Sequence, residues 1–193
     1  MSEARFREGI RANVRGLWVQ AITRDQFVEN MTDLITRELW NAWVEGIDSC
    51  GMTVADMEPE DRELVQSKSW EQLDYLDGFA NDIVVNNKFF GGSLEALFSR
   101  ADMWINQYKS MRDLAKTTVC GDTKYEWVYG DTEHCDSCLR LNGIVKRASV
   151  WERANVRPGN PPNWKLECDG WHCECTLQPT SKRSTPGPLP SLP

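Results

Sequence analysis

No apolar run in this chain approaches the ~20 residues that a membrane-spanning helix needs, and mean hydropathy is -0.53. A phosphate-binding glycine loop, a nucleophile elbow and a His-Glu-x-x-His helix are also missing. The common sequence signals for nucleotide hydrolysis, esterase chemistry and zinc proteolysis are therefore lacking. Basic charge is scarce: 22 Lys and Arg stand against 29 Asp and Glu. Residues 1–119 carry 20 acids and 13 bases, and residues 120–193 carry nine of each. Neutralising DNA phosphates takes clustered Lys and Arg, so a broad nucleic-acid footprint is not expected. The opening "MSEARFREGIRANVRG" mixes Glu and Arg from its first turn, unlike an apolar signal peptide or an acid-poor transit peptide. The expectation is a soluble chain made in a cytoplasm, where thiols stay reduced.

At 193 residues the chain is long enough for one domain, or a main domain with a small appendage. The first part reads as helices. Phe6, Ile10, Val14, Leu17, Trp18 and Ala21 recur at steps of three and four. Thr23 with Gln26 makes a capping box, and Ile22 with Phe27 a hydrophobic staple, ahead of a second stripe: Phe27, Met31, Leu34, Ile35, Leu39, Trp40, Trp43 and Ile47. That helix should break at 50–52. The signals weaken between 53 and 90, where Pro59 suits a first helical turn, Ser69 with Gln72 offers another capping box, and "NNKFFGG" reads as a loop or short turn. Leu94 to Ala115 resumes a clear helical rhythm. These stripes are expected to form a bundle core, with most of the nine tryptophans as core anchors.

After Cys120 the texture changes. "TKYEWVYG" alternates like a strand, "LNG" signals a turn, "RPGNPPNW" a loop, and "HCECTL" a second short strand. The reading is an α+β protein: a helical bundle over 1–119, a small cysteine-rich α+β unit with little helix over 120–180, and a Pro-rich tail over 181–193. The tail cannot form a core alone and is expected to dock on a partner chain.

Five of the seven cysteines fall in this small unit. Cys135 and Cys138 have the x2 spacing that aims two sulfurs at one metal; Cys173 and Cys175 sit at i and i+2, which share a face on a strand. Cys168 is a fifth candidate, and His134 and His172 adjoin the clusters. Tetrahedral zinc takes four ligands, so the expected set is Cys135, Cys138, Cys173 and one of Cys168 or Cys175. A closed four-ligand site performs no chemistry, and a unit of this size needs such a staple, so the ion expected is structural Zn2+ and no catalytic residue is assigned. Cys50 and Cys120 stand alone and read as packed small hydrophobes. One pattern pulls the other way: His172-x-Glu174 is the His-x-Glu that zinc deaminases combine with Cys-x-x-Cys. Here the Cys-x-x-Cys comes first, and residue 134 is His where that family has proline.

The run "WVYGDTEHCDSCLRLNG", a loop containing "PP", then "CECTLQP" resembles the C-terminal signature of the Mu F-like head morphogenesis proteins of tailed phages, also called minor head or minor capsid proteins. The resemblance covers about residues 125 to 178. It departs from the family where many relatives place "His-Pro-Asn" before the last Cys-x-Cys; here "Asp-Gly-Trp-His" stands there, and Cys168 is the candidate replacement for the family histidine. The resemblance implies a non-enzymatic virion component at or near the portal vertex, contacting portal or major capsid protein, with packaged DNA only an indirect neighbour, and acting in head assembly, DNA packaging or ejection. The rival expectations are a zinc-dependent hydrolase, deaminase or toxin using Glu174, and a zinc module that binds nucleic acid.

Overall fold

A computed structural model describes residues 3–159, 161–171 and 173–192. The protein is a helix-dominated α+β chain with one three-stranded sheet. Two compact units form, Met1–Asn41 with Arg62–Ile105, and Ala42–Asp61 with Asn106–Pro193. The segments of one unit are interleaved in the chain with those of the other, in contrast to the end-to-end division drawn at 119 and 180.

In the first unit, α1 (Glu3–Trp18) buries Phe6, Ile10, Val14 and Leu17. The helix stops short of Ala21, which is exposed, because the chain turns at Gln20 with φ 60. The capping box forms as its residues suggest: Thr23 N–H donates to Gln26 Oε1 at 2.9 Å, and Gln26 N–H to Thr23 Oγ1 at 3.1 Å. It starts α2 (Arg24–Asp48), whose stripe is buried at Phe27, Met31, Leu34, Ile35 and Leu39, while Trp40 is half-buried. Pro59 opens α3 (Pro59–Leu73). The capping box expected at Ser69 does not form: Ser69 lies inside α3, and its hydroxyl bonds back to the Val65 carbonyl at 2.8 Å. Next come α4 (Leu76–Val85) and a 3-10 turn, Lys88–Phe90, capped by Asn87 Oδ1, which accepts from Phe89 N–H at 2.8 Å. The core closes on α5 (Leu94–Val119) through Phe79, whose ring lies 6.1 Å from Phe27 and 5.2 Å from Trp104.

In the second unit, the later turns of α2 and α5 pack at Gly46, where any Cβ would run into the Arg112 carbonyl and Ala115. The sheet order is β2-β1-β3, all antiparallel: β1 (Lys124–Val128), β2 (Val145–Arg147) and β3 (Thr176–Pro179), with Tyr125 opposite Lys146 and Trp127 opposite Leu177. The strand expected over "HCECTL" begins only at Thr176, after the cysteines. Two short helices replace the nearly helix-free expectation: α6 (Asp136–Leu141) and α7 (Ala148–Ala154). Tyr125, Trp127, Leu141, Trp151, Val156, Leu166 and Leu177 form the core. Of the nine tryptophans, Trp43, Trp104, Trp127 and Trp151 are fully buried, while Trp70, Trp164 and Trp171 are exposed. No helix among the described residues is long and apolar enough to cross a membrane.

One further feature departs from expectation, and the tail makes contacts within its own unit. Cys50 and Cys120, read as packed hydrophobes, form a disulfide with a Cα–Cα distance of 5.9 Å. Each lies just past the C-terminal end of a long helix, α2 or α5, so the bond ties those ends together. The tail packs against β2 and the core of its own unit. Thr185 N–H donates to the Val145 carbonyl at 2.9 Å, Val145 N–H to Thr185 Oγ1 at 3.0 Å, and Lys146 Nζ to the Thr185 carbonyl at 2.7 Å, while Leu189 and Leu192 pack on the core.

Candidate metal centre

The first thiol pair is set by a helix start. Cys135 is the extended residue before α6, and Cys138 sits in the first turn, which brings their sulfurs to 3.6 Å. The turn around Cys168 is clamped to the same helix end. Asp136 N–H donates to Glu167 Oε2 at 2.9 Å, and Glu167 N–H to Ser137 Oγ at 3.0 Å. An N–H that would otherwise go unpaired at the helix start is thereby satisfied. The turn reverses through Asp169 (φ 52) and Gly170 (φ 80); at Gly170 only glycine fits, since a Cβ would collide with the Gly159 carbonyl.

Cys173 and Cys175 lead into β3 and are buried with the core. The backbone of Glu174 between them presses so closely on Gly130 that any Cβ at 130 would overlap it. Cys138 Sγ lies 4.0 Å from Cys173 Sγ. The five sulfurs form two groups, Cys135, Cys138 and Cys168, and Cys138, Cys173 and Cys175, each with all its sulfurs within 4.8 Å of one another. A tetrahedral ion bound by sulfur at about 2.3 Å keeps its sulfurs about 3.8 Å apart, so both groups could hold a metal ion. All five sequence candidates are brought together.

His134 flanks them without belonging to either group: its Nδ1 is 3.8 Å from Cys175 Sγ, and its ring is stacked on Tyr129 at 4.0 Å and 13°. His172 lies outside the described residues. Glu174, the candidate proton shuttle of the rival reading, points instead toward Lys109, with 3.9 Å between Oε1 and Nζ, and is not in either sulfur group.

The sulfurs hold their protons unevenly. Cys138 is pushed well up by donating to Cys173 and Cys175, with burial adding to it. Burial lifts Cys168 to about 12. Cys173 is lowered by accepting from Cys138, but donation to Cys175 and burial carry it up on balance. Cys175 accepts from Cys138 and Cys173 and falls to about 3. Burial raises Cys135, but hydrogen bonds from the Cys138 backbone and the Cys168 thiol outweigh it and leave it lowered. One sulfur in each group is thus already disposed to be thiolate. A cation entering the cluster replaces the protons of the others.

Residues that the sequence reading passed over include Ser137 and Glu167, which lock the two sulfur-bearing turns together. Their signal was position alone, beside Cys138 and Cys168. No family model, curated protein or solved structure matches this chain.

Proposed function

We propose that this chain is a minor head protein of a tailed phage, of the Mu F-like kind, a non-enzymatic virion component of the portal vertex whose second unit is stapled by zinc. The observation that carries this reading is the convergence of the motif. Its aromatic strand is β1, its closing Thr-Leu-Gln-Pro is β3, and these two pair directly, while its Cys-x-x-Cys and Cys-x-Cys bring their sulfurs to 4.0 Å. An ordered set of residues spread over some fifty positions thus serves a single small construction. Zinc is the ion best suited to it, because buried thiolates with an imidazole alongside are its usual donors and it brings no redox chemistry.

Made in a host cytoplasm, the protein would join the capsid and contact portal or major capsid chains. Surfaces available for this are the exposed Trp164 and Trp171 rings and the outward part of the tail around Pro186 and Pro188. Exposed aromatics of this kind are typical anchors at protein interfaces. The test is mass spectrometry and immunoelectron microscopy of purified procapsids and virions of the phage that encodes it. Detection at one vertex is expected, and absence from both particles rejects the assignment. Elemental analysis of the same protein should find stoichiometric zinc.

A further inference from the structure

The five sulfurs do not make one tetrahedron. Among the described residues no four cysteine sulfurs lie within 4.8 Å of one another; they divide into two groups of three that have only Cys138 in common. A single four-sulfur ion would require the cluster to close up and would leave the fifth thiol idle, although that thiol belongs to the same cluster. Two ions use every sulfur as it stands. Resting on the metal reading above, and extending it, we infer that the centre binds two zinc ions bridged by the Cys138 thiolate, one held with Cys135 and Cys168, the other with Cys173 and Cys175.

Three observations support this beyond the grouping. Cys138 is 3.6 Å from Cys135 and 4.0 Å from Cys173, near the spacing of about 3.8 Å that a shared tetrahedral vertex imposes on both sides. Five sulfurs, one of them counted twice, fill six of the eight positions of two tetrahedral ions and leave one on each for a further donor. Charge favours the same arrangement. One divalent ion with four thiolates leaves two negative charges in a core of Trp127, Trp151 and Leu177; two such ions with five thiolates leave one.

The test is metal stoichiometry of the full chain loaded with zinc, read by native mass spectrometry, with cadmium-113 NMR on cadmium-loaded protein. Two ions per chain are expected, with two cadmium resonances that split each other through the shared sulfur. Cys168→Ser and Cys175→Ser should each retain one ion, whereas Cys138→Ser should lose both. One ion per chain at saturating zinc, or two resonances without mutual coupling, overturns the bridged pair and leaves the single structural zinc standing. No bound ion in folded protein overturns both readings. Because Cys168→Ser and Cys175→Ser are expected to keep half the cluster, loss of the second ion can be told apart from loss of the fold.

Discussion

The two units are built from similar lengths of chain by different means. The first, residues 3–41 with 62–105, contains no cysteine, and its elements are helices whose apolar stripes bury one another around Phe27, Phe79 and Trp104. The second contains all seven cysteines. Its own elements are slight: strands of five, three and four residues and helices of six and seven. Helices that short are marginal without outside support, and a three-residue strand buries little. The second unit has links between distant segments: the disulfide from 50 to 120, Lys116 Nζ donating at 2.6 Å to both Asp113 Oδ1 and the Leu177 carbonyl, and a sulfur cluster from 135 to 175 that could hold a metal ion. Side-chain burial holds the first unit, whereas the second adds a disulfide and a cluster of sulfurs to its buried core.

The largest effect expected from that contrast is metal removal. Structural zinc contributes on the order of 10 kcal/mol in small domains that depend on it. Chelation, or Cys138→Ser, should abolish hydrogen-exchange protection across β1, β2, β3, α6 and α7 while amides between Phe6 and Ile35 keep theirs. Acid should do the same, since thiolates must be free of protons to bind: loading is expected to be complete at neutral pH and to fall as pH drops. Equal loss of protection in both units would break the comparison.

Two changes of intermediate size sharpen it, one in each unit. Opening the Cys50–Cys120 bond, whose partners are 70 residues apart, removes about 4 kcal/mol of loop-closure stabilisation. Cys50→Ala with Cys120→Ala should therefore lower the denaturation midpoint of the second unit and leave metal content unchanged. In the first unit, Phe79→Ala empties a site between Phe27 and Trp104 and should cost about 3–5 kcal/mol. Its zinc stoichiometry should match that of the wild type; a Phe79→Ala protein that bound less zinc would mean the cluster depends on the helical core.

The same contrast explains what could be read from the residues alone. The stripes of α1, α2 and α5 and the Thr23 capping box were legible because a helix is decided by neighbours three and four positions away. Ser69 misled because its hydroxyl can cap a helix or bond back to a carbonyl within one, and the choice depended on whether α3 carried on. In the second unit the strand β2 and the helices α6 and α7 are too short to show a period. The disulfide was invisible because pairing of two lone cysteines depends on where two helix ends meet. The five cysteines of the cluster stand out by spacing, but the placing of Cys168 beside Cys135 and Cys138 depends on the Ser137 and Glu167 clamp, which has no sequence motif.

The smallest expected effect comes from one hydroxyl. Tyr125 on β1 is fully buried, and its Oη lies 3.0 Å from Ser49 Oγ. Ser49 has one proton and gives it to the Gly46 carbonyl at 2.6 Å, so Tyr125 must be the donor between them. Burial, with the Asp113 charge adding to it, holds the phenol above its usual value. A group raised in the folded state stabilises it fully below the unfolded value, near pH 10, and loses that contribution as pH climbs through the folded one. Tyr125→Phe should cost about 1 kcal/mol near pH 8, and the gap from wild type should narrow by about pH 10.5. Denaturant midpoints at the two pH values measure it. A gap that stays constant would mean that solvent reaches the hydroxyl and that the second unit is more open around β1 than its burial implies.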